Sequence, residues 1–416
     1  MIKNNYSKFI GSVLIVIGTS MGAGMLALPL VSAPVGIMIS SIALISIWGL
    51  MVITGLLVLE VNLAMDNKFC SFSSMADKTL GYPGKITAWI SCLFLLYALT
   101  AAYITGASSL LTEYIKFCFN YQIPDIVSVI LFVLVFGTPV FWSTKATDLL
   151  NRGLISIKGI LLFFTIASLA PHVDFVKIMI DSSMKINWYV GALFPMFITA
   201  FGYHTVIPSI RIYCGDNPKM LKNIIILGTV IALIIYLLWM AIISYIVPST
   251  GINSFEQIGG SVNKLINSII LIINNKWISI GINGFANIAM TTSFLGVTLG
   301  LFDFIADGFN RPNTRFGRLQ TSCLTFMPPI IFALYYPQGF IIALNYASIF
   351  IAILEIILPV FMVYKLRYSP FITNDIKKNV YQTFGGKYLL LFVFITGVVL
   401  IILQILINLH LIPVII

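Results

Sequence analysis

The chain of 416 residues is predicted to be an all-α polytopic membrane protein with eleven transmembrane helices. Ten of these form two inverted blocks of five, with helices 1 and 6 broken. Three observations carry this expectation. Hydrophobic residues make up 59% and charged residues only 9%, against roughly 25% charged in an ordinary soluble domain. The mean hydropathy is +1.02, and the apolar residues fall in runs that span a hydrocarbon core of about 30 Å at about 1.5 Å per helical residue. Two of these runs, five apart in order, carry glycine and proline inside, where a continuous helix disfavours them.

In order, the runs cover 9–31, 35–62, 85–113, 125–142, 149–170, 188–210, 221–247, 279–306, 319–336, 338–364 and 387–412. They are continuous and lack the alternation of a membrane β-barrel, so they read as helices. Lys3 and Lys8 ahead of the first run resemble the basic region of a signal peptide. The run from Phe9 to Val31 is too long for one and is followed at once by another span, so it is expected to remain as the first helix. The longest gap, Pro248 to Trp277, is itself half apolar, which leaves one membrane domain over 1–416. Its inverted repeats are expected at about 9–170 and 188–364, with an extra helix at 387–412.

Charge sets the orientation. With the N-terminus in the cytoplasm, 18 of the 24 Lys and Arg residues fall on the inner side. Lys116, Lys177, Lys185, Lys264 and Lys276 fall outside, and Lys158 lies within a span. The asymmetry predicts a multi-pass membrane protein with its C-terminus outside. The net charge of +10 forms no basic patch interleaved with aromatics, so nucleic acid is not an expected partner. The five cysteines, Cys70, Cys92, Cys118, Cys214 and Cys323, have no CxxC spacing; free thiols are expected, with no metal, no disulfide and no cofactor. Oligomeric state leaves no mark on the sequence.

The first run contains Gly18, Thr19, Ser20, Met21, Gly22, Ala23 and Gly24 ahead of Pro29, and the sixth contains Phe201, Gly202, Tyr203 and His204 between Pro195 and Pro208. Unwinding a helix in lipid frees backbone groups that only protein, water or a ligand can satisfy. A zwitterion suits such a place, its carboxylate at the half-helix N-termini and its ammonium at the C-termini. Gly18 and Gly22 also form a GxxxG pair, the mark of close helix packing, but the matching break in the sixth run favours a binding role.

Lys158 lies roughly 14 Å into the fifth run by the helical rise, near the midplane. An ammonium there costs about 3 kcal/mol or more unless carbonyls or water surround it. It is a candidate proton carrier or a fixed cation in place of a bound sodium ion; the alternative is a lysine that snorkels to the surface. His204 follows the Gly202 break and can donate to substrate or take part in proton transfer. Thr291, Thr292 and Ser293 offer hydroxyls for an ion, although hydroxyl side chains also bond their own helix. Glu60, Asp303 and Glu355 lie toward inner ends of their runs, suited to a gate or to ion pairs with arginines such as Arg152 and Arg211. Tyr97 and Tyr103 are six residues apart and share no close helix face, so one can close over a substrate while the other packs.

The run from Gly11 to Pro29 (GSVLIVIGTSMGAGMLALP) resembles that of the hydroxy and aromatic amino acid permeases of bacteria, most of all the members specific for tyrosine. The likeness continues through YALTAAYITG at Tyr97–Gly106, FGYH at Phe201–His204, TTSFLGVTLGLFD at Thr291–Asp303 and GRLQT at Gly317–Thr321. It covers nearly the whole chain. The resemblance implies membership of the amino acid/polyamine/organocation superfamily, with the leucine-transporter fold of five plus five inverted helices and an eleventh span. It implies proton symport of an aromatic amino acid by alternating access, with substrate held by Thr19, Ser20, Gly22, Ala23 and Gly24 and by Phe201, Gly202, Tyr203 and His204. In proton-coupled relatives of this fold a lysine of the fifth span takes the place of a sodium ion, and Lys158 matches that role. Tryptophan or broad aromatic specificity stays open, as does sodium coupling through Thr291, Thr292 and first-span carbonyls. A substrate-sensing receptor would want an output module that the short loops do not supply; for an enzyme no HExxH is present, and Gly18–Gly22 (GTSMG), which fits GxSxG, lies inside an apolar run and not at the strand-to-helix turn that motif needs.

Overall fold

The computed structural model describes residues 2–66, 69–174, 188–248, 254–312, 314–369 and 381–412. Lys68, Lys177, Lys185, Lys377 and Lys378, and the side chains of Lys3 and Cys118, lie outside the described residues. Among those described, the regular structure is helical throughout. The first run forms α1 (Ile2–Ser20), a 3-10 turn at Ala23–Ala27 and α2 (Leu28–Ser32). Then come α3 (Ile37–Ala64), the short α4 (Phe72–Leu80), α5 (Tyr82–Phe119), α6 (Asp125–Trp142) and α7 (Thr144–Leu169). The sixth run is divided into α8 (Val190–Ala200) and α9 (Ile207–Cys214), followed by α10 (Pro218–Ile246), α11 (Val262–Ile273), α12 (Lys276–Gly308) and α13 (Arg315–Tyr335). A π-turn at Ala352–Ile357 joins α14 (Phe340–Ile351) to α15 (Leu358–Tyr368), and α16 (Lys387–Asn408) comes last.

Among the described residues nine spans are long and apolar enough to cross a membrane, α8 with α9 and α14 with α15 each counting as one, or ten when the pair Tyr6–Ser20 and Ala23–Ser32, bent by 46°, counts as one more. The expected eleventh is α13. It is 21 residues long, enough for about 30 Å, but Arg318, Gln320, the hydroxyls of Thr321 and Ser322 and the pair Pro328 and Pro329 leave it less apolar.

Local chemistry explains the ends. Ser143 accepts from the Ala146 amide at 3.1 Å and starts α7; Asn217 accepts from Met220 at 3.1 Å and starts α10, with Pro218 in the first turn, where its missing N–H costs nothing. α5 and α11 end on Asn120 and Asn274, both left-handed, a conformation asparagine tolerates. Side chains such as Phe163, Leu134 and Leu391 are exposed on the outer faces, as expected where lipid is the solvent. Trp142, Trp188 and Trp277, all more than two-thirds exposed, stand at or beside helix ends, where amphipathic rings anchor at the membrane interface. Inside, α7 packs along α12, α5 along α12 and α14, and α1 along α10, so the two interrupted runs are enclosed by the other helices.

Candidate functional site

The interruption of the first run begins where the Met21 amide makes the last helical bond, to Ile17 O at 2.8 Å; the Gly22 amide then turns back to Ser20 O at 2.8 Å. Glycine and serine favour this departure, since neither gains much from a helical conformation. The freed backbone groups find specific partners. Lys158, 7% exposed in the middle of α7, donates from Nζ to Met21 O at 3.1 Å. Ser293 Oγ on α12 accepts from the Ala23 amide at 2.9 Å. The Tyr236 hydroxyl on α10 meets Ser20 O.

In the sixth run α8 ends at Ala200. The Phe201 amide bonds Ile198 O at 3.1 Å, and the Tyr203 amide bonds Phe201 O at 2.9 Å, before the chain turns into α9. The freed Ala200 carbonyl accepts from Tyr236 at 2.8 Å. One phenol therefore lies against carbonyls of both interruptions, with its ring edge-on to Phe201 at 5.2 Å between centroids.

His204 is fully buried. Its Nε2 lies 2.8 Å from Thr54 Oγ1 on α3, and its Nδ1 lies 2.7 Å from Glu355 Oε2 on the π-turn, without the alignment of a hydrogen bond. Tyr203 stacks on the His204 ring at 4.6 Å and donates to Met51 O at 3.0 Å. Its phenol occupies the space that a Cβ at Gly55 would need. A π-turn widens a helix by one residue per turn and is frequent at functional sites; here it carries the buried carboxylate.

The other predicted site residues divide by position. Tyr103 is buried, its phenol beside Ser293, and a Cβ at Gly22 would sit 3.3 Å from Ser293 Oγ and 3.6 Å from the Tyr103 hydroxyl. Ser20, Ala23 and Gly24 are buried in the same segment. Thr19 turns its hydroxyl to Ile15 O at 2.7 Å, Thr291 to Asn287 O at 2.8 Å and Thr292 to Ala289 O at 3.1 Å, each on its own helix. Tyr97 lies apart. It donates to Leu324 O at 2.8 Å and lines a cavity of about 670 Å³ with Phe94, Phe332, Asn345 and Tyr346, which shares no lining residue with either interruption.

The expected pairs with Arg152 and Arg211 are replaced by others. Arg152 bonds Asp148 one turn away on its own helix, the nearest carboxylate it can reach. Arg211 bonds Asp216 and the carbonyls of Asn62 and Met65 at the end of α3. Glu60 takes Arg367, which donates to both its oxygens, at 2.7 and 2.5 Å, and the Thr383 amide adds a third bond at 2.7 Å. Glu355 faces His204. Asp303 is exposed on α12. Sequence reasoning missed Tyr236, Thr54 and the pairing of Glu355 with His204. The only signal was a phenol or hydroxyl in a mostly apolar run, with nothing to set it apart from the other hydroxyls there, such as Tyr245 and Ser46.

These features combine two enclosed helix interruptions, a buried cation on one and a buried acid and imidazole on the other, an arrangement suited to holding a small zwitterion and a proton. The profile of the tryptophan/tyrosine permease family matches residues 5–404. Tyrosine-specific transport system 2 of Haemophilus influenzae is 34% identical over 417 residues, covering 100% of both chains. Tyrosine-specific transport system 1 of the same organism is 35% identical, over 95% of this chain and 96% of the relative. Its tryptophan-specific transport protein is 32% identical over 98% of each. Among solved structures, the manganese transporter of Eremococcus coleocola superposes with a TM-score of 0.65 at 12% identity, covering 96% of this chain and 85% of that one, a likeness of fold alone. The chain belongs to the tryptophan/tyrosine permease family and is a multi-pass membrane transport protein, not an enzyme.

Proposed function

We propose that this protein imports an aromatic amino acid, tyrosine foremost, across the bacterial inner membrane by proton symport and alternating access. The observation that carries the reading is the joining of the two interruptions: Tyr236 bonds Ser20 O and Ala200 O, and Lys158 holds Met21 O beside them. The substrate carboxylate and ammonium take the backbone groups that the interruptions leave available, and Tyr103 and Phe201 border the space for the ring. Lys158 acts as a fixed cation where a sodium ion would otherwise hold the unwound carbonyls; a second cation there would be repelled. α13 completes eleven spans, ten in two inverted repeats of five, with the N-terminus cytoplasmic and the C-terminus periplasmic. Two tyrosine-specific relatives at 34% and 35% identity support tyrosine, and a tryptophan-specific relative at 32% makes tryptophan the alternative.

The test is uptake of labelled tyrosine into liposomes holding the purified protein, under an imposed proton gradient, with and without sodium, and with excess tryptophan or phenylalanine as competitors. The reading expects uptake that needs the proton gradient, ignores sodium and is competed most strongly by unlabelled tyrosine. Uptake that needs sodium contradicts the coupling, and stronger competition by tryptophan contradicts the substrate.

A further inference from the structure

We propose that Glu355, His204 and Thr54 form the proton-binding site of the transport cycle, a site separate from Lys158; this inference rests on the proton-symport reading above. His204 is fully buried and Glu355 is 1% exposed, and an isolated charge at such depth costs several kcal/mol. The three side chains lie close enough for each of two protonation states to find its partners. In the empty state the Thr54 hydroxyl donates to His204 Nε2 over 2.8 Å, and Nδ1 lies 2.7 Å from Glu355 Oε2, a contact that a small turn of the carboxylate brings into line. In the loaded state Nε2 carries the proton and donates to Thr54 Oγ1. The Thr54 hydrogen turns to Met51 O at 3.1 Å, and imidazolium faces carboxylate as a neutral pair. Met51 O accommodates this hydrogen beside the one from Tyr203, because a carbonyl has two lone pairs. Loading thus changes the site from one negative charge to none, through the rotation of one hydroxyl and a small turn of the carboxylate, whose terminal torsion is soft. The proton comes from the outer water onto Nε2 and leaves to the inner water.

The elements packed around the pair bring few other ionisable groups. The Cys92 thiol on α5 and the Tyr203 phenol of the sixth run are the neighbouring ionisable side chains. On α3 Glu60 is already paired with Arg367 from the end of α15. α16, packed against the π-turn, carries no ionisable side chain between Leu389 and Leu409. The site also adjoins the interruption: a Cβ at Gly202 would sit 3.9 Å from Glu355 Oε1. Protonation therefore acts on the same backbone that borders the substrate.

The experiment compares the native chain with Glu355→Gln in liposomes, recording accumulation of labelled tyrosine and of labelled tryptophan under a proton gradient, with internal pH followed by a trapped dye. The native chain is expected to accumulate substrate with the gradient and to carry about one proton per substrate, and Glu355→Gln to lose both the proton flux and the response to the gradient. Native accumulation that ignores the gradient overturns the symport reading and this site with it. Native accumulation that follows the gradient, with Glu355→Gln following it equally, overturns the site alone. Should the variant fail to fold, nitrogen-15 labelling of the histidines in the native chain gives a second reading. Of the three histidines, the one whose signal is missing in His204→Gln is expected to gain a proton at Nε2 as pH falls, and a signal unchanged between acid and alkali overturns the proposal.

Discussion

The two interruptions solve one problem, backbone polar groups freed inside a membrane, with different chemistry. At the first, the partners are a lysine, a serine and a phenol, and the Lys158 ammonium reaches Met21 O directly. At the second, the same phenol serves Ala200 O, but the ionisable groups, His204 and Glu355, face each other and touch no freed carbonyl. On the proposed reading the first is a fixed clamp, which has no need to change state, and the second is poised between two states. The contrast teaches that similar breaks in similar sequence positions take unequal shares of the work, holding at one and switching at the other.

The largest effect in breaking this contrast is expected from Lys158→Ala. It leaves Met21 O without its donor in a buried segment, at about 1–3 kcal/mol, and removes the cation. Tyrosine uptake in liposomes is expected to fall more than about tenfold, since each 1.4 kcal/mol is a factor of ten. Gly55→Ala comes next. The new methyl group collides with the Tyr203 phenol, and overpacking of this kind costs about 1–3 kcal/mol, read as a lower melting temperature of the purified protein. Tyr236→Phe removes the hydroxyl shared by Ser20 O and Ala200 O while keeping the ring against Phe201. About 1 kcal/mol is expected, as a several-fold slower uptake with a nearly unchanged melting temperature. The smallest effect is expected from Tyr97→Phe, because that phenol bonds Leu324 O away from both interruptions. Uptake within about twofold of native, with a loss under about 1 kcal/mol, keeps the cavity beside Tyr97 out of the transport path.

Much of this organisation was legible in the sequence, and the exceptions have physical reasons. Apolar runs gave the spans because their length is set by the bilayer, and α6 covers the same 125–142 as its run. The interruptions were legible because glycine and proline act locally. The long-range partners were not: Thr54 meets His204 across 150 positions and Tyr236 meets Ser20 across 216, and one hydroxyl in an aliphatic run gives no sign of its partner. Glu355 was placed with the inner-end carboxylates because the chain there reads as plain helix; the π-turn that sets it against His204 has no glycine or proline to mark it. α13 was counted as a span on its length, although its arginine, glutamine and hydroxyls leave it less apolar than the other spans.

The most direct measurement of the central claim is proton flux driven by substrate alone. Liposomes with equal pH on both sides and a pH dye inside receive tyrosine outside, with no sodium present. Acidification of the lumen in step with tyrosine entry, abolished when the protein is omitted, is the predicted result. Tyrosine entry with no change in internal pH would contradict proton symport.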